Sequence, residues 1–134
     1  MSRSNHQLVR DYFAALPTGD LPDDLFTDDL TVWTITSGAS EKAKYLSGLK
    51  MLQSLFPGGL TYRVDSLTAE DDRVAAEVRA HGTLVNGDEY HNTYVFIFRI
   101  REARIARISE YFNTQVVREK LAPLMQAAAN RHNG

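Results

Sequence analysis

Glu110 is the residue of this sequence whose surroundings favour chemistry most strongly. In a strand with alternating faces over 104–113, it shares one face with Ala106, Ile108 and Phe112. An ionised carboxylate is costly to bury between such side chains, and desolvation raises its pKa towards neutrality. A carboxyl tuned in this way can serve as a general acid or base. Alternatively, Glu110 lies near a sheet edge or pairs with an arginine, and its role is structural.

Asn92 and Tyr12 are polar side chains that could hold an oxygen atom of a ligand. Asn92 lies between Tyr90 and Tyr94 on one face of a strand predicted over 88–101. Its carboxamide could orient a ligand carbonyl, or it could satisfy backbone groups at a bulge. Tyr12 lies on the apolar face of the first predicted helix, where its hydroxyl could donate one directed hydrogen bond or simply pack.

The turn at Glu102-Ala103 decides whether Glu110 and Asn92 face the same side of the sheet. A strict two-residue turn would place Glu110 opposite Val95, on the face away from Asn92. A bulge or a turn of odd length would place both side chains on one face. The sequence is compatible with both arrangements.

Other common patterns of catalytic and binding sites are missing from the sequence. The chain has no cysteine, and neither His81 nor His91 has the spacing to a second histidine that a metal site requires. The segment Ser-Gly-Ala-Ser over 37–40 lacks the flanking pattern of a nucleophile elbow, and no glycine-rich phosphate loop is present. We therefore expect a site without a metal or cofactor.

The composition is typical of a soluble domain that binds neither nucleic acid nor membranes. The 134 residues include 15 basic and 17 acidic ones, for a net charge of −2, with no basic stripe of the kind that binds nucleic acid. The apolar runs are far shorter than the ~20 residues that span a membrane. Residues 1–13 lack the apolar core of a signal peptide. We expect a cytoplasmic protein.

Helices dominate the first half of the chain and strands dominate the second. Ser4 followed by Gln7 is a capping box that begins the first helix. A final helix over 114–129 is expected to bend at Pro123. The other predicted elements are a short helix after Asp20, a helix over 41–56, strands over 30–36, 60–68, 73–85, 88–101 and 104–113, and a type I′ turn at Asn86-Gly87.

This order of elements predicts an α+β fold with helices on one face of a curved antiparallel sheet. The strand over 90–100 is apolar on both faces in its middle, so both faces should be covered. A chain of this length has enough helices for only one face. A second copy would cover the other, which predicts a homodimer through the sheet.

Four segments, in their order and spacing, are similar to those of a known family. They read LVRDYFAALPTGDL, DDLTVWTI, NGDEYHNTYVFIFRI and ISEYFNT, and the likeness covers residues 5–122. They resemble the SnoaL-like, ketosteroid-isomerase-related branch of the nuclear transport factor 2-like superfamily. The resemblance implies a cone-shaped, curved antiparallel sheet with helices packed on its concave face, enclosing a pocket, and usually a dimer. We accordingly expect a single domain over 1–129 and a disordered tail over 130–134.

The resemblance to ketosteroid isomerases carries over to only one site residue. Tyr12 matches the tyrosine on the first helix of those enzymes. Their base position falls at Trp33 or Thr34 and their second acid at Phe96, and none of these residues is acidic. This departure argues against steroid isomerisation by the known constellation.

Glu110 matches the inward acidic position on the last strand of relatives that resemble limonene epoxide hydrolase. The partnering arginine and aspartate of those relatives would fall near Val78 and Ala80, so their triad is absent here. Of the acidic site positions compared with these relatives, Glu110 is therefore the only one that this sequence keeps.

The sequence leaves several functions open. An enzyme would use Glu110 to move a proton, while Tyr12 and Asn92 hold the oxygen where negative charge develops. Its substrate would be a small, mostly apolar molecule with a carbonyl or hydroxyl group, and its reaction an isomerisation, cyclisation or dehydration without a cofactor. A non-catalytic homodimeric module would bind such a ligand in the same pocket, whereas a protein-binding dimer would have a filled cone. The residues predicted to line the pocket are Trp33, Leu52, Phe56, Tyr94, Phe96, Ile108 and Phe112.

Overall fold

The computed structural model describes residues 4–133, which form a curved, unclosed six-stranded sheet with helices packed against it. The helices and strands, in chain order, are α1 (Asn5–Ala15), β1 (Phe26–Thr34), β2 (Gly38–Glu41), α2 (Lys42–Ser54), β3 (Thr61–Glu70), β4 (Arg73–Thr83), β5 (Glu89–Arg101), β6 (Arg104–Phe112), α3 (Thr114–Val116) and α4 (Ala122–Asn133). Short 3-10 turns at Leu16–Thr18 and Asp23–Leu25 precede β1. A π-helical segment, Val117–Leu121, joins α3 to α4.

The strands lie in the order β2-β1-β6-β5-β4-β3. Neighbours are antiparallel except β1 and β6, which are parallel. The predicted α+β class is confirmed. The sheet differs from the purely antiparallel one that was predicted, because β1 and β6 are parallel. β1 begins at Phe26, four residues before the predicted start, because the exposed Asp28 and Asp29 interrupt the apolar pattern without ending the strand. The short strand β2, which pairs with the end of β1, was not predicted.

Helix α1 packs on the concave face of the sheet through its predicted apolar stripe. The Oγ of Ser4 caps the helix by accepting a hydrogen bond from the backbone N–H of Gln7 at 3.0 Å. The edge of the Phe13 ring meets the face of Phe96 on β5, with 5.0 Å between the ring centroids. The buried residues of α1 are Leu8, Val9, Tyr12 and Phe13.

The loop between β4 and β5 differs from the predicted two-residue turn. It contains five residues, because the last ladder pair joins Thr83 to Glu89. Gly87 has a positive φ of 89° but Asn86 does not, so the turn is not of type I′. Leu84 accounts for the longer loop: its side chain is buried, and its N–H donates to the carbonyl of Asp88 at 2.8 Å.

The turn between β5 and β6 has two residues and is followed by a bulge. Glu102 and Ala103 both have positive φ, and Ile105 pairs with Ile100 as a strict register requires. The register then shifts by one residue, since Ala106 is left without a partner in the ladder. Beyond Ala106, each inward-facing residue therefore lies one position later in the chain than strict alternation from the turn would place it.

The bulge corrects the face assignment made from simple alternation. Ile105 and Ile108 are both fully buried, whereas Ala106 is not. Glu110 therefore shares the inner face with Ile105, Ile108 and Phe112, and Ala106 does not belong to it. Glu110 pairs across the ladder with Phe96, whose side chain is also buried.

The helical segment after β6 is longer than predicted. Its first turn is capped by Asn113, whose Oδ1 accepts from the N–H of Gln115 at 3.0 Å. The π-helical segment ends two residues before Pro123, the predicted bend, because proline has no N–H for the carbonyl of Glu119 and its ring crowds that carbonyl. α4 continues to Asn133, so four residues of the expected tail are helical and Gly134 lies outside the described residues. No helix within residues 4–133 is long and apolar enough to span a membrane.

Candidate functional site

Glu110 lies on the inner face of β6, near the end of the parallel pair with β1. Thr34 is its neighbour on β1, and the carbonyl of Glu110 accepts a hydrogen bond from the N–H of Ile35 at 3.2 Å. The side chain is half-buried, and burial raises the pKa of the carboxyl to about 7. No basic side chain within residues 4–131 pairs with it, so this carboxyl differs from the ion-paired alternative considered from the sequence.

Tyrosine side chains surround this carboxyl. Burial raises the pKa of each of these phenols, and the negative charge of Glu110 raises it further. They come from α1, α2, β3 and β5, and they are Tyr12, Tyr45, Tyr62, Tyr90 and Tyr94. Of the six tyrosines in the chain, only Tyr111 points to the other side of the sheet. The interior therefore offers hydroxyl groups around a single carboxyl.

Tyr12 and Tyr45 form a hydrogen-bonded pair of phenols between the two helices. The hydroxyl of Tyr12 on α1 is bonded to that of Tyr45 on α2, and both rings are buried. One hydroxyl of such a pair donates to the other, which leaves the second proton for a further acceptor. Sequence analysis placed Tyr12 here but did not single out Tyr45, which lies within the helix predicted over 41–56. The hydroxyl of a tyrosine in that helix was the signal available.

Asn92 lies on the same inner face as Glu110, but its amide is fully engaged by the protein. Its Nδ2 donates to the hydroxyl of Tyr90 at 3.0 Å and to the carbonyl of Asn113 at 3.2 Å. Its Oδ1 accepts from the N–H groups of Thr93 at 2.8 Å and Asn113 at 3.1 Å. All four hydrogen-bonding positions are used, so no donor is left for a ligand oxygen. Of the two roles considered from the sequence, Asn92 therefore has the structural one, which is to satisfy backbone groups.

Most of the residues predicted to line the pocket lie on the inner side of the sheet. Tyr94 stacks on Phe96 with 5.6 Å between ring centroids, and it meets Phe112 at 5.5 Å. The hydroxyl of Tyr94 is hydrogen-bonded to that of Tyr90 at 2.6 Å. The other inward residues are Leu52 and Phe56 near the end of α2, and Ile108 on β6.

Trp33 is the exception, and its predicted place in the pocket wall is wrong. Its neighbours Val32 and Thr34 pair with the inward-facing Ile108 and Glu110, so Trp33 faces the other side. Its ring packs against the exposed Tyr111, with 5.2 Å between centroids. Alternation within β1 was not specific enough to assign this face, because the segment is apolar or β-branched on both sides.

The two histidines singled out from the sequence lie on the outer face, away from Glu110. His81 and His91 are direct partners across β4 and β5, and their rings lie 6.0 Å apart, edge to face. In the part of the chain that the structure describes, no group of three or more histidine, aspartate or glutamate side chains could hold a metal ion.

The fold is similar to that of several solved structures. IdmH from Streptomyces antibioticus, described as a proposed polyketide cyclase, is 20% identical over 89% of this chain and 99% of its own, with a TM-score of 0.77. A nuclear transport factor 2-like protein from Anabaena variabilis is 24% identical over 84% of this chain and 94% of its own, with a TM-score of 0.72. A proposed polyketide cyclase from Xanthomonas campestris is 23% identical over 82% and 90% of the two chains, with a TM-score of 0.70. At such identities the likeness establishes the fold alone.

Sequence comparison identifies the family. No protein of curated function matches the chain. The family profile of the SnoaL-like domain matches residues 9–108, which cover most of the chain and extend from α1 into β6. This match confirms the resemblance that the four sequence segments carry. The chain therefore belongs to the family of SnoaL-like domains.

Proposed function

We propose that this SnoaL-like protein binds a small, largely apolar molecule beside Glu110 and moves a proton on it without a cofactor. The observation that carries the proposal is a carboxyl whose pKa is raised to about 7 by burial alone. At neutral pH both its protonated and its ionised forms are populated, so it can take a proton and return it. The cyclases among the similar folds support the same class of chemistry.

The reaction that fits this arrangement begins at a carbon next to a carbonyl group. Glu110 takes the proton from that carbon, and the electron pair of the broken C–H bond moves to the carbonyl oxygen. The Tyr12–Tyr45 pair supplies the free phenol proton that stabilises the resulting enolate oxygen. Return of the proton to another carbon gives an isomer. Attack of the enolate carbon on a second carbonyl gives a ring, and loss of water then completes a dehydration.

The ligand class follows from the charges around the site. Desolvation is the only cause of the raised pKa of Glu110, so no cation among the described side chains lies close enough to lower it. Burial of a carboxylate or phosphate ligand beside Glu110 would place two negative charges together with no counter-charge. We therefore infer a neutral ligand, held by phenol hydroxyls and by aromatic rings such as Phe96 and Phe112.

The same proposal includes a homodimer through the outer face of the sheet. Val95 and Tyr111 are cross-strand partners there and remain 39% and 43% exposed. Trp33 packs beside Tyr111, and Ile35 at the end of β1 is 45% exposed. Adjacent exposed apolar side chains of this size are typical of a protein interface. A second copy would bury them on both partners at once.

A probe ketone tests the proton transfer directly. 2-Tetralone is neutral and apolar, and exchange of its α-protons with deuterated water can be followed by NMR. We expect the protein to accelerate this exchange and the Glu110→Gln variant to lose about 10²–10⁴-fold of the acceleration. Tetralone binding without acceleration by the unmodified protein would instead indicate a non-catalytic binding module. Full acceleration by Glu110→Gln would remove Glu110 from the mechanism.

A further inference from the structure

The Glu110 side chain is half-buried, but the tyrosines around it are enclosed in this conformation. Tyr12 and Tyr90 have no exposed surface, and Tyr45 and Tyr94 are each 9% exposed. A molecule that contacts both the carboxyl and these phenols therefore needs one of the surrounding elements to move. This inference rests on the proposed function in so far as that function requires a ligand at Glu110.

Helices α1 and α2 are poorly suited to such a movement. The inward stripe of α1 is at most 6% exposed, so its displacement would expose a large part of the core. α2 is held by contacts to other elements at its buried face and at its end. The hydroxyl of its buried Tyr45 is bonded to that of Tyr12 on α1, and at its end the Nε2 of Gln53 donates to the carbonyl of Leu16 at 2.5 Å.

The C-terminal helical segment, residues 114–133, is held much more lightly. Among residues 114–131 only Leu121 is buried, while Leu124 and Met125 are half-buried against the core. An ion pair between Lys120 and Asp88 at 3.5 Å joins exposed side chains and contributes little. Segments with few buried apolar contacts open locally at low free-energy cost.

The π-helical segment supplies a position at which this helix can change direction. Over Val117–Leu121 the α-helical hydrogen-bonding pattern is interrupted, and Pro123 removes a further backbone donor. π-helical segments inside helices are frequent at functional sites. Before this point the chain is anchored, because Asn92 holds both backbone groups of Asn113. Movement would therefore begin after the anchored residues and carry α4.

A groove runs between this helix and the β1–β2 turn. Its volume is about 420 Å³, and its lining includes Thr36 and Ser37 of the turn and Val117, Ala122 and Met125 of the helix. The turn is attached to the strand that carries the site, since the N–H of Ile35 bonds to the carbonyl of Glu110. The groove therefore begins one residue beyond the point at which β1 is bonded to Glu110.

We propose that this groove is the entrance to the Glu110 site, and that α4 opens it by pivoting on the π-helical segment. Val117, Ala122 and Met125 give the passage an apolar wall, and Thr36 and Ser37 give it hydroxyl groups. A flexible methionine at the opening can adapt to ligands of different outline. Arg118 and Gln126 also line the groove, so the passage combines this apolar wall with polar groups and one cation.

A reversible cross-link tests the entrance in a chain that has no cysteine of its own. Ser37→Cys and Met125→Cys place one thiol on each side of the groove. A water-soluble carbodiimide with glycine ethyl ester labels protonated carboxyl groups, and at about pH 6.5 a large fraction of Glu110 is protonated. We expect the oxidised protein to be labelled at Glu110 about tenfold more slowly than the reduced protein. The exposed Glu102, measured in the same digest by mass spectrometry, should be labelled equally in both.

A second variant tests the entrance without a disulfide. Ala122→Trp fills the groove with an indole, and Ala14→Trp adds the same side chain on the exposed side of α1 as its matched control. We expect labelling of Glu110 to slow in the first variant and to stay unchanged in the second. Equal labelling rates of Glu110 in the oxidised and reduced proteins, or in the two tryptophan variants, would refute the proposal that this groove is the entrance.

The labelling involves no ligand, so it separates the entrance from the proposed function. Slower labelling in the closed proteins, with no effect of any variant on tetralone, would support the entrance and count against the enzyme. Unchanged labelling with a normal tetralone reaction would count against the entrance and leave the enzyme standing.

Discussion

The two faces of the sheet place their side chains in opposite environments. Inside, Phe96 is 2% exposed, and the pKa of its neighbour Glu110 is raised by burial. Outside, Val95 is 39% exposed, and the carboxyl of Asp65 is paired with Arg79 at 2.8 Å, which lowers its pKa. The helices cover only one face, so the same strands give one side the properties of a reactive interior and the other those of an interface.

The largest difference is expected in the free energy of unfolding when neighbouring side chains of β5 are truncated. Phe96→Ala removes a ring that packs on Phe13, Phe98 and Tyr94, and should cost about 3–5 kcal/mol. Val95→Ala, the matched change on the outer face, should cost about 0.5 kcal/mol or less in the monomer. Urea denaturation at low protein concentration measures both. Equal costs would mean that the two faces are covered to the same extent.

The second difference is the pH dependence of stability. The pKa of Glu110 is about 7 when folded and 4.5 ordinarily, so its contribution is full below about pH 4.5 and is lost as the pH rises through 7. Glu110→Gln removes this loss and should be more stable than the unmodified protein above pH 7, by about 3 kcal/mol. Urea titrations from pH 4 to about pH 8 measure it.

Asp65, on the outer face, should contribute to stability with the opposite pH dependence. Its pKa is lowered by the hydrogen bond from Arg79, so its contribution is present above its ordinary value of 3.8 and is lost as the pH falls. Asp65→Asn should therefore be less stable than the unmodified protein at neutral pH, and the difference should disappear when the same titration is extended below pH 3.8. A matching pH dependence for the Glu110 and Asp65 variants would contradict the distinction between the two faces.

A smaller effect is expected at the junction between the inner face and the C-terminal helix. Asn92→Ala leaves the N–H and carbonyl of Asn113 and the hydroxyl of Tyr90 without their partner, which should cost about 1–3 kcal/mol. Thr93→Ala on the outer side of the same strand is the control and should be nearly neutral. Hydrogen exchange should locate the loss at the first turns of the helix. A uniform loss over the sheet would contradict the anchoring role.

The smallest effect concerns association of two copies. Tyr111→Ala removes an exposed aromatic side chain from the centre of the proposed interface and should weaken the dimer by roughly tenfold. Light scattering over a concentration series measures this change, with Thr68→Ala, an exposed change on β3, as the control. A monomer at all micromolar concentrations of the unmodified protein would refute the homodimer itself.

Sequence analysis predicted most of the elements because their signals are local. The capping box at Ser4, the apolar stripe of α1 and the alternation in β5 all depend on residues close together in the chain. The desolvation of Glu110 was predictable for the same reason, since its apolar neighbours lie on its own strand. Local patterns were sufficient wherever one element alone decides the environment of a residue.

The errors arose where two elements meet. The face of Trp33 depends on how β1 pairs with β6, and the partner of Tyr45 lies 33 residues away on α1. Whether Asn92 shares a face with Glu110 depended on a bulge that leaves no mark in the sequence. The engagement of its amide depended on where the chain turns at Asn113. None of these contacts follows from periodicity within one segment.

The single unpaired residue in β6 has a consequence for how related chains are aligned. Ala106 is an extra residue, so a chain without it would reach the same pairing from Arg107 onward and keep its carboxyl inside. In an alignment, a one-residue gap in this strand belongs at Ala106, and a gap placed a few residues later would match inward positions with outward ones. A shorter chain would also lose the extra twist of the bulge. Its sheet would be flatter and its cone wider, so relatives that differ by this one deletion should accept bulkier molecules.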